Sequence, residues 1–240
     1  MGRFKDRARA ESYLEGLGDN PVLLHILGIR YFITPQIITL PGFEPLMAQG
    51  DVFALRSIFD LSMGFVYERS VSERDMESLV DSRDRHLMML RGIILSDKAS
   101  SPDSVTNINS FKRTADGASE LNWEAISERL RILENRKVNF SEVGSNHVVG
   151  EVRTDVDGYL FIPIAFDKGW RLEIDGQPVE IERGNIGFIA AQIKAGDHKF
   201  ELNYRPPTLI PSLIAFALGL SILVFLRESK SRKSSKDQYI

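Results

Sequence analysis

One uninterrupted apolar run constrains this chain more than any other feature. Between Thr208 and Leu226 there are nineteen consecutive residues without a charge, and most of them are large and apolar. As an α-helix, at a rise of ~1.5 Å per residue, the run is roughly 28 Å long, close to the ~30 Å hydrocarbon thickness of a bilayer. A buried core helix is the alternative, but such helices are usually shorter and have a polar face. The sequence therefore predicts a transmembrane helix at residues 207–226.

The charges on either side of this run predict its orientation. Its exit carries five basic residues, Arg227, Lys230, Arg232, Lys233 and Lys236. The positive-inside rule then predicts that the tail, residues 227–240, is cytoplasmic and that everything before residue 207 is extracytoplasmic. The first twenty residues contain no apolar stretch that could act as a signal peptide. We therefore expect the chain to be the C-terminal piece of a longer polytopic membrane protein whose earlier helices export this domain.

Composition and motif spacing disfavour several classes of function. Before residue 227 the chain has 25 basic and 31 acidic residues, so it lacks the basic balance of a nucleic-acid partner. With no cysteine it has neither a disulfide scaffold nor a thiolate metal site. The four histidines never fall at a ligand spacing, and there is neither a Gly-rich phosphate loop nor a GxSxG elbow. We expect no metal and no cofactor.

The first half of the chain predicts a mixed α/β portion. Residues 1–20 are charged and mildly amphipathic and predict a connector helix. Residues 21–136 predict short helices and strands, with helices at 21–27 and 122–134, strands at 52–58, 64–68 and 93–95, and a loop at 34–50 rich in proline and glycine. The expected fold class is α+β.

From Lys137 onward the apolar period changes from about 3.6 to 2. About seven short strands between 137 and 204 predict a small antiparallel β-sandwich over residues 137–206. In the first expected hairpin, Asp175-Gly176 forms a type I′ turn that opposes Leu172 to Val179 and Trp170 to Ile181.

In the second expected hairpin, the turn is Ala195-Gly196. The same register arithmetic sets Ala191 against Phe200 and Ile189 against Leu202. The four residues Asp175, Gly176, Ala195 and Gly196 are therefore interpreted as structural turns.

Six short motifs follow one another in the second half of the chain. They are Asp157-Gly158-Tyr159-Leu160-Phe161, Asp167-Lys168-Gly169-Trp170, Asp175-Gly176, Asn185-Ile186-Gly187-Phe188, Ala195-Gly196-Asp197-His198 and Tyr204-Arg205-Pro206-Pro207. This ordered set resembles the C-terminal region of the YfhO family of bacterial polytopic membrane proteins. Segments 27–31 and 64–68 are similar to that family as well, so the resemblance spans residues 20–226.

The resemblance implies a membrane glycosyltransferase that uses a lipid-linked sugar donor and decorates teichoic-acid-like polymers of the cell envelope. In such enzymes the catalytic carboxylate lies in an early extracytoplasmic loop, which this chain lacks, so no residue here is assigned a catalytic role. The expected function is an accessory domain and membrane anchor that caps the polytopic core or guides the acceptor polymer or lipid-linked sugar. Membrane lipid and that core are the expected partners. A single-pass envelope binding or scaffold protein is the alternative, and a hydrolase of envelope glycans is a third hypothesis.

Trp170 is the residue most open to a binding role. An indole that stacks on a sugar ring would suit an envelope glycosyltransferase, with Asp167, Lys168 and Asn185 as nearby polar groups. The favoured interpretation is instead that Trp170 faces inward and packs the core of the sandwich.

Overall fold

The structure is a computed structural model that describes residues 20–78, 82–96, 106–107, 123–185 and 187–236. Within these ranges the helices are α1 (Pro21–Ile26), α2 (Glu73–Ser78), α3 (Ser82–Arg91), α4 (Trp123–Asn135) and α5 (Leu209–Lys236). The strands of the first half are β1 (Tyr31–Thr34), β2 (Phe43–Gln49), β3 (Val52–Ser57), β4 (Phe65–Tyr67), β5 (Arg69–Ser72), β6 (Ile93–Leu95) and β7 (Thr106–Asn107). The strands of the second half are β8 (Val138–Val143), β9 (His147–Thr154), β10 (Gly158–Ala165), β11 (Trp170–Ile174), β12 (Gln177–Val179), β13 (Glu182–Gly184), β14 (Phe188–Ile193) and β15 (Gly196–Tyr204).

These elements form an α+β fold that is mostly β, which confirms the predicted class. The strands make a three-stranded sheet in the order β1-β3-β2 and a five-stranded sheet in the order β12-β11-β15-β9-β8. A seven-stranded sheet has the order β4-β10-β14-β13-β6-β5-β7, and so draws strands from both sides of residue 137. The expected connector helix at residues 1–20 lies almost wholly outside the described residues.

The seven-stranded sheet is the central layer of the molecule. On β10, Phe161 packs with the helices, whereas its neighbour Leu160 packs with the five-stranded sheet. β14 follows the same rule, because Ala190 contacts the helix side and Ile189 the sheet side. Since successive side chains of a strand point to opposite faces, both faces of this sheet are buried. The layers are therefore helices, seven-stranded sheet and five-stranded sheet.

The five-stranded sheet is antiparallel and has one solvent-exposed face. Along β9 the buried side chains alternate with more exposed ones, the pattern of a strand that covers a core on one side only. The β11–β12 hairpin has the expected Leu172–Val179 pair. The expected pair of Trp170 with Ile181 is wrong, because β12 ends at Val179. On the other side of β11, Trp170 lies opposite Tyr204 of β15.

The second expected hairpin is also wrong. β14 belongs to the seven-stranded sheet and β15 to the five-stranded sheet, so the chain crosses from one sheet to the other at Ala195-Gly196. Ala191 pairs with Leu160 and Phe200 with Ile174 and Gly150. β14 and β15 each turn an apolar face toward the core between the two sheets, so apolar residues alternate along both strands. A hairpin would produce the same alternation, and the sequence pattern therefore does not distinguish the two arrangements.

The expected loop at residues 34–50 contains a strand. β2 pairs with β3 at the edge of the three-stranded sheet, with a register shift between Pro45 and Met47. An edge strand tolerates proline because one row of its N–H groups has no ladder partner. The proline that indicated a loop is therefore compatible with this strand.

The last strand leads into the long helix α5. All of its described large apolar side chains from Leu209 to Phe225 are exposed, with exposed fractions between 50% and 71%. Among the described residues, no helix is long and apolar enough to cross a membrane. The expected transmembrane span at residues 207–226 stays a prediction.

Candidate functional site

The candidate site lies where the five-stranded sheet ends and α5 begins. Only residues 205–208 separate Tyr204, the last residue of β15, from Leu209. The backbone N–H of Arg205 donates to the carbonyl oxygen of Gly169 over 2.9 Å, so the chain stays attached to the sheet one residue past β15. The N–H of Leu209 donates to the carbonyl of Pro206 over 3.1 Å, which starts the helical path. This connection is too short for the sheet and the helix to separate widely.

Two aromatic rings mark this end of the sheet. Trp170 and Tyr204 are cross-strand partners, and their ring centroids lie 5.0 Å apart at an interplanar angle of 56°. Trp170 is half-buried and packs against the core between the two sheets. Part of the indole is therefore used in packing, while the remainder is open to solvent.

The turn before Trp170 is held by its own polar groups. Asp167 Oδ1 accepts a hydrogen bond from the Gly169 N–H over 2.7 Å, and the Asp167 carbonyl accepts one from the Trp170 N–H over 3.2 Å. A Cβ at Gly169 would lie 2.5 Å from the Arg205 carbonyl oxygen, so only glycine fits beneath the connection. Partial desolvation, and then the Asp167 carboxylate, raise the pKa of the Tyr204 phenol.

Three exposed cations are close to the aromatic pair in the sequence. They are Lys168, Arg171 and Arg205. One terminal guanidinium nitrogen of Arg171 donates to the carbonyls of Lys168 and Trp170, each over 2.9 Å, so this side chain folds back over the turn. The sequence reasoning missed Arg171, Tyr204 and Arg205 as members of the site. Their signal was the position of Tyr204-Arg205 directly before Pro206-Pro207 and the apolar run.

The structure brings Asp167, Lys168 and Trp170 together but places Asn185 elsewhere. Asn185 is 2% exposed, and its Oδ1 accepts a hydrogen bond from the Ile94 N–H over 2.9 Å. Its amide nitrogen donates to the Tyr67 hydroxyl over 3.3 Å, and that hydroxyl donates to the Met89 carbonyl over 2.8 Å. The amide of Asn185 thus joins β13 to β6 inside the protein.

The residues interpreted as turns lie away from the aromatic pair. Asp175 and Gly176 have φ values of 53° and 74°, the positive values that a type I′ turn requires, at the far end of β11 from Trp170. Asp175 Oδ1 accepts from the Lys199 N–H over 2.9 Å, and its Oδ2 lies 2.7 Å from His198 Nδ1. At the crossing, the Ala195 N–H donates to Asp157 Oδ1 over 2.8 Å. These polar contacts hold the chain's own loops in place.

A separate ionic network joins the layers. Arg136 contacts Glu68 over 3.0 Å and Asp155 over 2.7 Å, and Arg129 contacts the same Glu68 over 3.4 Å. Desolvation opposes ionisation of Glu68, but the arginines outweigh it and hold the pKa of Glu68 below its usual range. Across the described ranges, no group of three His, Asp or Glu side chains is arranged to hold a metal ion.

Comparison with known proteins supports the family resemblance. Residues 116–215 match the family described as bacterial membrane protein YfhO. The uncharacterized protein YfhO of Bacillus subtilis strain 168 is 28% identical over 106 residues, which cover 44% of this chain and 12% of that protein. The chain therefore matches only about an eighth of the length of this relative. No solved structure matches the chain.

Proposed function

We propose, from the premise that residues 116–215 form a region of the bacterial membrane protein YfhO family, that this chain is an extracytoplasmic accessory domain with its own membrane anchor. The observation that carries the proposal is the junction of β15 and α5. A folded sheet passes within four residues into a helix whose described apolar side chains are exposed. Water is a poor environment for such a helix, whereas lipid would cover it.

The sequence supports the membrane anchor independently of the structure. The uncharged run from Thr208 to Leu226 is continuous in the sequence. Nineteen such residues reach across most of a bilayer core. The basic residues that follow favour a cytoplasmic tail and an extracytoplasmic domain.

The junction would then lie at the membrane surface. Tryptophan and tyrosine are enriched at the headgroup level of membrane proteins, and Lys and Arg extend their charges toward phosphate there. Trp170 and Tyr204, with the exposed cations Lys168, Arg171 and Arg205 close to them in the sequence, supply both kinds of group near the start of α5. These contacts would fix how the β-sheets stand on the bilayer.

The accessory role follows from the family resemblance. A polytopic core would carry the catalytic carboxylate and the site for the lipid-linked sugar, while this domain caps the core or guides the teichoic-acid-like acceptor toward it. The open part of Trp170, with Asp167 and Lys168 exposed beside it, is where a sugar ring would stack. No group in this chain is assigned the transfer chemistry.

Cysteine labelling in intact cells tests the topology. The chain has no cysteine, so single cysteines at Gln177, the exposed first residue of β12, and at Ser235, in the basic tail, need no background removal. The proposal expects a membrane-impermeant maleimide to label Gln177→Cys from outside and to reach Ser235→Cys only after the cells are opened. Protection of both cysteines would place the domain in the cytoplasm and overturn the proposal.

Tryptophan quenching tests the contact with the membrane surface. The chain has two tryptophans, so Trp123→Phe leaves Trp170 as the only indole and Trp170→Phe is its matched control. In vesicles of brominated lipid, we expect bromine near the headgroups to quench Trp170 more strongly than bromine deep in the acyl chains. Trp123, which contacts Phe59 in the helix layer, should be quenched by neither. Equal quenching of the two tryptophans would contradict the proposed surface contact.

A further inference from the structure

A half-open cavity of about 370 Å³ lies between the helices and the seven-stranded sheet. Its described lining comes from α1 and the adjoining Leu27, from α2 and α3, and from Phe161, Asn185 and Phe188. It is separate from the junction of β15 and α5. Asn185 and Phe188 belong to one of the six family motifs, but the resemblance assigns no ligand to this cavity. Its volume lies within the range of small-molecule sites in proteins.

The interior of the cavity is apolar. Ile26 and Phe161 are fully buried, and Met76 and Met89 are nearly so. Methionine is unbranched and flexible, which suits a wall that must adapt to a chain of variable shape. Asn185 contributes little polarity, because its amide is bonded to Ile94 and Tyr67. The interior therefore suits a hydrocarbon group.

Apart from the bonded amide of Asn185, the polar groups of the described lining lie on one side. Arg85 is exposed and His86 half-buried, and both belong to α3. The Asn20 side-chain oxygen accepts hydrogen bonds from the N–H groups of Val22 and Leu23, and this cap fixes which end of the amide is nitrogen. That nitrogen lies 2.7 Å from His86 Nδ1 and can only donate. Nδ1 therefore accepts, and a neutral His86 carries its proton on Nε2.

We propose that this cavity binds the tail of a single-chain amphiphile whose acidic head group lies beside Arg85 and His86. A cationic guanidinium and an imidazole N–H select a carboxylate or phosphate rather than a cation. At ~30 Å³ per group, the volume that a water molecule takes in the liquid, the cavity has room for about a dozen methylene groups. The proposal does not depend on the membrane topology, because it rests on the helix and sheet layers alone.

Photolabelling of the full chain in lipid nanodiscs tests the proposal. The probe is dodecanoic acid with a diazirine at the end of its chain, and labelled peptides are located by mass spectrometry. We expect labels at Met76, Met89 and Phe188, reduced at least tenfold by excess unlabelled dodecanoate. Labels confined to α5 would overturn the proposal, since they would show that the probe reached the protein without entering the cavity.

Two variants separate the tail from the head group. Leu27→Trp adds an indole to the cavity wall and should reduce cavity labelling at least fivefold, whereas Ile37→Trp, at a position that is 83% exposed, should not. Arg85→Ala should weaken labelling by the acid severalfold and leave labelling by the matching diazirine alcohol unchanged, with Arg74→Ala on α2 as the control. If Leu27→Trp fails to fold, the acid-against-alcohol comparison decides. Equal loss of both probes in Arg85→Ala would overturn the assignment of the head group.

Discussion

The two large sheets share an interface but differ in how they are built. The five-stranded sheet comes entirely from residues 138–204, is antiparallel, and keeps one face in solvent. The seven-stranded sheet collects strands from residues 65 to 193, includes the parallel pairs β5–β6 and β5–β7, and is buried on both faces. Two of the four strand pairings in the five-stranded sheet, β8–β9 and β11–β12, are local hairpins. In the seven-stranded sheet one of the six described pairings, β13–β14, is local, and the others join more distant parts of the chain. We therefore expect substitutions of the same type to be more damaging in the seven-stranded sheet.

The largest expected difference is between two glycines. A Cβ at Gly158 would lie 2.0 Å from the Tyr67 carbonyl oxygen, inside the seven-stranded sheet. Gly158→Ala must therefore push β4 and β10 apart, and we expect a loss of about 3 kcal/mol or more in unfolding free energy. Unfolding of the full chain in nanodiscs, followed by tryptophan fluorescence in denaturant, measures it.

Gly176→Ala in the β11–β12 turn is the matched control. Nothing lies within 4 Å of a Cβ there, and only the φ of 74° opposes the substitution. We expect a loss of about 1 kcal/mol, the cost of placing an alanine in the left-handed region. Equal losses at Gly158 and Gly176 would show that the two sheets do not differ in tolerance.

A smaller effect is expected from the buried amide of Asn185. Asn185→Ala removes the acceptor of the Ile94 N–H and the donor to the Tyr67 hydroxyl at a residue that is 2% exposed. It also leaves an alanine at a φ of 45°. We expect a loss of about 2 kcal/mol, measured by the same unfolding experiment.

Asn139→Ala is the control for this amide. Asn139 is exposed on β8 of the five-stranded sheet, so we expect a change of less than about 0.5 kcal/mol. Asn185→Gly relieves the backbone strain but not the lost hydrogen bonds. A full recovery in Asn185→Gly would mean that φ, and not the amide, explains the loss.

The same contrast explains how much of the fold could be predicted from the sequence. The pairing of Leu172 with Val179 was predicted correctly, because alternation and the Asp175-Gly176 turn are local signals. The position of β14 was not predicted. One of its two partners, β10, is not joined to it by a turn, so no local signal in the sequence marks that pairing. Its buried Ala190, between Ile189 and Ala191, is the sign of a strand covered on both faces, and it was missed.

The candidate site shows the same limit. Asp167, Lys168 and Trp170 come together because they are consecutive in one turn, and Tyr204 joins them through the β11–β15 pairing. Asn185 was grouped with them on the basis of the family motifs alone. The structure shows that its environment is set by Ile94 and Tyr67, which are about a hundred residues away in the sequence and were not part of any motif. Residues that belong to neighbouring motifs in the sequence need not lie close together in the structure.

The smallest expected effect concerns Asp175, in the exposed turn between β11 and β12 of the five-stranded sheet. The hydrogen bond with His198, and then that from the Lys199 N–H, hold the pKa of Asp175 below its usual range. The folded state therefore favours the carboxylate, so this stability is present above the unfolded pKa of about 3.9 and is lost as pH falls through the lower folded value. Asp175→Asn keeps the shape and tolerates positive φ but cannot ionise, so its melting temperature should fall less steeply below pH 4 than that of the wild type.

Asp197→Asn is the control. The exposed partner of Asp197, Arg153, lies 3.7 Å away, so this variant should keep the wild-type slope. Parallel slopes for all three proteins would mean that the Asp175 contacts give no net stability and that the turn depends on its backbone conformation alone.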